Sequence, residues 1–141
     1  MGSGNMESGN KGGSILNIRV YYEDTDLAGI VYYANYLKFI ERGRSEWVRA
    51  CGVDQGALKA EQGIVFAVRK VEADYLKPAK FDDLLTVTTA LEALGGASLT
   101  LRQEVWRGQE RLFQARVVLV ALQDTGAPAR LPAPVRAALQ R

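Results

Sequence analysis

Two carboxylates with one residue between them, Asp24 and Asp26, stand in the stretch YYEDTDLAGIVYYANYLKF (Tyr21 to Phe39), ahead of Gly29 and of an apolar-periodic run. The chain contains no histidine and a single cysteine, Cys51. A Ser-His-Asp triad or a Cys-His pair is therefore excluded, and a zinc site built from His and Cys has too few ligands, so no metal site is expected. Catalysis must lean on carboxylates, hydroxyls, lysines or backbone dipoles. A helix N-terminus offers unpaired backbone N–H groups and a positive partial charge of about half a unit. Negative charge developing on a carbonyl oxygen would be stabilised there. A carboxylate nearby could then act as a nucleophile or as a general base for water. Loop aspartates also form Asx turns or cap helices without doing chemistry, and the spacing by itself favours that plainer role.

The elements that must position these acids follow from periodicity. From Ile15 the chain alternates, with Leu16, Ile18, Val20 and Tyr22 on one face and Asn17, Arg19, Tyr21 and Glu23 on the other, which predicts a strand. After the loop, Tyr36, Phe39, Ile40, Gly43, Trp47 and Ala50 recur at helical spacing, with Gly52 placed for a C-terminal cap. Gly43 costs about 1 kcal/mol against Ala inside a helix. It fits a helix axis that must approach a sheet closely, or a position tolerant of drift. The stretch VDQGALKAEQG reads as a short helix capped by Asp54 and stopped by Gly63.

Four strands are expected next, roughly Ile64 to Leu76, Leu84 to Leu94, Leu99 to Arg107 and Arg111 to Leu122, separated by KPAKFDD, GGAS and WRGQE. Arg69 interrupts an apolar face read as Val65, Ala67, Val71 and Ala73. It fits a subunit interface or solvated edge better than a ligand tunnel. The run Val117 to Leu122 suggests burial on both faces. Tyr21, Tyr22, Tyr32 and Tyr36 could line a pocket, although such aromatics are more often core, and Trp47 and Trp106 read as packing residues. The Pro-rich tail ends in about one helical turn. One helix against consecutive short-looped strands predicts an α+β domain with an antiparallel sheet.

The 141 residues suit one domain. Residues 1–13, rich in Gly, Ser and Asn with a second Met at position 6, read as a disordered tail or cloning remnant, leaving 14–141 as the single domain. At 48% hydrophobic and 24% charged the composition is that of a globular protein, and the formal charge of +2 gives no sign of a nucleic-acid partner. No run reaches the roughly 20 apolar residues of a transmembrane helix. One cysteine and no signal pattern predict a cytoplasmic location. Cys51 reads as a small buried hydrophobe.

The stretch VYYEDTDLAGIVYYANYLKFIERGRSEWVRACG resembles the signature of hotdog-fold acyl-CoA thioesterases of the 4-hydroxybenzoyl-CoA thioesterase type, in particular their tol-pal-associated branch. FAVRKVEADYLKPAKFDDLLTVTT resembles that group's following strands. The resemblance implies a five-stranded antiparallel sheet wrapped around one long central helix. It also implies dimers joined edge to edge by their sheets, often assembled into tetramers. It assigns the catalytic carboxylate to Asp26 and the group that polarises the thioester carbonyl to the Tyr33 backbone N–H; Asp24 receives no catalytic role.

The branch usually has histidine where this chain has Tyr33, a change that a backbone donor tolerates. Where some relatives place basic residues for the phosphates of coenzyme A, this chain reads Gly95-Gly96-Ala97-Ser98, so backbone groups and Ser98, or another subunit, would make those contacts. The implied activity is hydrolysis of an acyl-CoA to a free acid and coenzyme A without a cofactor. The alternative is a hotdog protein that binds acyl-CoA or an acyl carrier protein without turnover. A hotdog dehydratase would need the histidine that is missing.

Overall fold

The computed structural model describes residues 13–140. The expected N-terminal tail, apart from Gly13, lies outside them. The elements are β1 (Gly13–Arg19), a 3-10 turn (Tyr22–Asp24), α1 (Asn35–Ala50), α2 (Gln55–Gln62), β2 (Ile64–Tyr75), β3 (Leu84–Leu94), β4 (Ser98–Arg107), β5 (Glu110–Gln123) and α3 (Ala133–Gln140). The five strands form one antiparallel sheet in the order β1-β3-β4-β5-β2, so β1 and β2 are its edges.

α1 lies across β1, β3 and β4. Its apolar stripe, Tyr36, Phe39, Ile40 and Trp47, is buried against inward residues of the strands such as Leu85, Val87, Leu101 and Val105. Gly43 makes the close approach possible. A Cβ there would lie 2.6 Å from Val87 Cγ1 and 3.2 Å from Thr89 Oγ1. The adjoining amide nitrogen is engaged inside the core, because Gln103 Nε2 donates to Ile40 O and to Thr89 Oγ1, both at 2.8 Å, while Gln103 Oε1 accepts no hydrogen bond among the described residues. The helix is therefore located both along and around its axis by one missing side chain and one buried amide.

The short helix behaves as its sequence predicts. Asp54 Oδ1 accepts from Ala57 N–H at 3.0 Å, and Gly63 ends the helix in the left-handed region at φ 67°. Gly52, just past α1, has φ 92°.

Three expectations change. β1 stops at Arg19 rather than running on to Glu23, since the Asp24 carboxylate draws the chain into the 3-10 turn, and Tyr22 is exposed rather than facing the core with Val20. In β2 the register shifts between Val68 and Lys70, so Arg69 is an extra, bulged residue. That insertion reverses the alternation. Phe66, Val68, Val71, Ala73 and Tyr75 pair with the inward residues Ala121, Leu119, Val117, Ala115 and Phe113, while Val65 and Ala67 face outward. Finally, the C-terminal turn is an eight-residue helix that buries Val135, Ala138 and Leu139. In the run Val117 to Leu122, alternate residues are fully buried and the others half-buried.

Candidate active site

The loop between β1 and α1 folds back on itself. Tyr32 N–H donates to Asp24 O and Asp26 N–H donates to Ile30 O, both at 2.9 Å, with Thr25 bridged to Val31 between them. Gly29, at φ 83°, completes the reversal by donating to Asp26 O. Asp26 thus stands at the tip of a miniature hairpin, and Tyr33 follows its return arm into α1.

The two acids have opposite surroundings. Asp24 is buried; its Oδ1 accepts from Asn35 Nδ2 at 2.8 Å and its Oδ2 from Tyr21 N–H at 2.9 Å. It ties the end of β1 to the first residue of α1. Asp26 is exposed. Its Oδ1 accepts from Ala28 N–H at 2.9 Å, and its Oδ2 takes no hydrogen bond among the described residues. The start of α1 has no side-chain cap and no acid in its first turn. The Tyr33 and Ala34 N–H groups have no acceptor among the described residues, so they are free to donate outward.

A second segment braces this loop from the other side. Val31 N–H donates to Ala79 O at 2.8 Å, Ala79 N–H donates to Tyr36 Oη at 3.0 Å, and Ile30 bridges Lys80. Burial pushes the Tyr36 phenol above its ordinary pKa and keeps it a neutral acceptor. Arg107 secures the same segment, donating to Asp83 Oδ2 at 2.7 Å, to Pro78 O at 3.3 Å and to Glu110 Oε1 at 2.7 Å. Its guanidinium, with Lys77, lowers the Glu110 pKa from 4.5 to about 2.

Tyr75, near the C-terminal end of β2, donates from Oη to Tyr33 O at 3.0 Å and packs edge-on to Tyr33 and Tyr36. Sequence reading passed over Asn35, Tyr75 and Arg107. Only the KPAKFDD turn hinted that a loop would return here. Of the four tyrosines weighed as lining or core, Tyr36 is core and Tyr21, Tyr22 and Tyr32 are exposed. Trp47 is buried, Trp106 packs half-buried beneath Arg111, and Cys51 is half-buried against the core.

Asp26 and Tyr33 share this loop, and Ser98 does not. Leu84, at the start of β3, pairs with Arg19 beside the loop, whereas Ser98 follows the turn at the far end of that strand. Ten residues of strand separate the two ends by about 30 Å. A recess of about 480 Å³, lined by Ser45, Arg49, Asp54 and Gln55 among others, lies at the α1–α2 corner. A helix of this length places it roughly 20 Å from the loop, and it holds none of the groups just described.

A long helix crossed by one antiparallel sheet, with an acid-bearing loop at its N-terminus, is the hotdog fold of thioester hydrolases. The model of the thioesterase superfamily matches residues 28–114, and the chain belongs to that family. The acyl-CoA thioesterase YbgC of Haemophilus influenzae is 42% identical over 123 residues, covering 86% of this chain and 90% of that protein. The acyl-CoA thioester hydrolase YbgC of Escherichia coli O6:H1 is 41% identical over 107 residues, covering 76% of this chain and 79% of that protein. Among solved structures, a probable thioesterase from Bartonella henselae superposes with a TM-score of 0.81 at 38% identity, covering 85% of this chain and 99% of that one. The 4-hydroxybenzoyl-CoA thioesterase of a Pseudomonas species shares the fold, with a TM-score of 0.85 at 24% identity over 89% of this chain and 98% of that one.

Proposed function

We propose that the protein hydrolyses acyl-CoA thioesters to a free acid and coenzyme A, with the Asp26 carboxylate as nucleophile or as general base for water. The observation that carries this reading is the pairing, in one braced loop, of an exposed carboxylate oxygen without a partner and the donor-bearing start of α1. The Tyr33 N–H would polarise the thioester carbonyl, and the helix dipole would stabilise the oxyanion that forms there. This donor belongs to the backbone, so the tyrosine side chain is free to shape the pocket mouth.

The fold puts Ser98 at the opposite end of β3, so in this proposal its hydroxyl serves the phosphates of coenzyme A bound to a neighbouring subunit. The working form is a homo-oligomer, a dimer or a tetramer of dimers' pairing, because β2 presents a free edge and a half-exposed inner face. Residues 14–141 form its single domain, and its location is the cytoplasm. Among the described residues no helix is long and apolar enough to cross a membrane.

The test is release of free thiol from short, long and aromatic acyl-CoAs. Turnover of at least one of them, unchanged by EDTA, is the expected result. Tight acyl-CoA or acyl-carrier-protein binding with no thiol release would favour the binding-only alternative.

A further inference from the structure

The first turn of α1 is short of a donor at one carbonyl. In a regular helix Tyr33 O would accept from Leu37 N–H. Here the turn is tightened, with Asn35 N–H donating to Tyr32 O at 2.8 Å and Leu37 N–H to Ala34 O at 3.1 Å. From the backbone Tyr33 O keeps only Tyr36 N–H, at 3.4 Å. A side chain from another element completes it. Tyr75, the last residue of β2, donates from Oη to Tyr33 O at 3.0 Å.

The ring that carries this hydroxyl is held firmly. It packs edge-on to Tyr33, Tyr36 and Phe113, with centroids 6.1, 5.4 and 5.0 Å away. Just beyond it, Leu76 N–H and Lys77 N–H both donate to Leu112 O, at 2.8 and 3.1 Å, which pins the end of the strand. Partial burial pushes the Tyr75 phenol above its ordinary pKa, so it stays protonated and remains a donor through the neutral range.

The consequence lies at the other end of the same peptide. In a planar trans peptide the C=O and the following N–H point in opposite directions. Drawing the Tyr33 carbonyl towards β2 therefore turns the Ala34 N–H away from it, and hydrogen bonding at the oxygen polarises that N–H into a stronger donor. Ala34 already has helical dihedrals, φ −70° and ψ −18°, so its N–H points along the axis with the others of the helix start. Neither it nor the Tyr33 N–H has an acceptor among the described residues.

Resting on the thioesterase reading above, we infer that the Tyr75 hydroxyl is a positioning group: it aims the Ala34 N–H beside the Tyr33 N–H, so that the thioester oxygen meets two backbone donors rather than one. Charge developing on that oxygen is then shared by two dipoles fixed before the substrate arrives. The end of β2 thus governs a helix start to which it lends no donor of its own.

Tyr75→Phe keeps the ring and its aromatic contacts and deletes only the hydroxyl. Its kcat on the best acyl-CoA should fall about tenfold with KM changed by about twofold or less, because the lost effect grows in the transition state. A second readout excludes a merely structural role. In Asp26→Asn, expected to bind an aromatic acyl-CoA without turning it over, the Raman band of the bound thioester carbonyl should lie below that of the free compound. Adding Tyr75→Phe should return part of that shift. Ala34→Pro, whose ring suits the φ of −70° and which deletes the second donor, should return at least as much, and the two changes together no more than Ala34→Pro alone. A wild-type kcat in Tyr75→Phe, a band that Tyr75→Phe leaves in place, or full additivity of the two changes overturns the inference while the hydrolase stands. A wild-type protein that releases no thiol from any acyl-CoA overturns the hydrolase reading and the inference with it.

Discussion

Asp24 and Asp26 are the same residue type, two positions apart in one loop, yet the fold treats them oppositely. Asp24 is buried with both oxygens engaged, by Asn35 Nδ2 and by Tyr21 N–H. Asp26 projects from the tip of the hairpin with one oxygen engaged and the other open. A carboxylate whose lone pairs are spoken for holds structure together, and one left open at a helix N-terminus has capacity for a substrate or a water. The first makes the second useful, because Asp24 also accepts the Tyr32 N–H through its carbonyl and so sets the line on which Tyr33 enters α1.

The sharpest way to break this comparison is to neutralise each acid in turn. Asp26→Asn should lower kcat by about 10² to 10⁴, the range for removing a positioned acid-base group, with the melting temperature and acyl-CoA binding retained. Asp24→Asn should instead cost about 1 to 3 kcal/mol of stability, read from the denaturant midpoint, because an amide facing the Tyr21 N–H and the Asn35 amide leaves a buried donor unmatched. Its kcat should fall about tenfold or less, through a loosened loop. Near-normal turnover in Asp26→Asn with a dead, well-folded Asp24→Asn would exchange the two roles.

Glu110 sharpens the contrast with a smaller effect, since it is a carboxylate with cationic partners in an accessible place. Its pKa is lowered from 4.5 to about 2 by Arg107 and Lys77. Its contribution to stability is therefore present above about pH 4.5 and is lost as the pH falls towards 2. Glu110→Gln should flatten the acid limb of the stability profile over that window and leave the neutral plateau nearly unchanged, because pairs of this exposure contribute little. An acid limb identical to that of the wild type would show that Arg107 braces the loop through Asp83 and the Pro78 carbonyl without Glu110.

Much of the fold was legible because its signals are local. Asp54 and Gly63 bracket α2 by capping chemistry alone, and the 3.6-residue stripe from Tyr36 to Trp47 located α1. Gly43 was ambiguous until a partner surface could be seen, since only Val87 and Thr89 explain why no side chain fits there. The end of β1 was misplaced for a similar reason. Alternation continues through Tyr22, but the Asp24 carboxylate, engaged with Asn35 eleven residues on, overrides it. In β2 a single inserted residue at Arg69 exchanged the two faces, and alternation cannot reveal a bulge without the partner strand. At the candidate site, Asp26 and Tyr33 could be placed in one loop from the sequence because they lie in one continuous motif. Tyr75, Arg107 and the remoteness of Ser98 depend on which ends of which strands meet, and that is a property of the sheet order.

The bulge at Arg69 has a meaning for solubility as well as for register. An uninterrupted twelve-residue edge strand such as Ile64–Tyr75 would offer a straight template on which any extended chain could add, and then another upon that. The kink places Arg69 and Lys70 on that edge and breaks the regular spacing of its free backbone groups. A strand with the matching irregularity, run in reverse, can still lie against it. The same feature that scrambled the reading of β2 thus discourages open-ended aggregation along that edge.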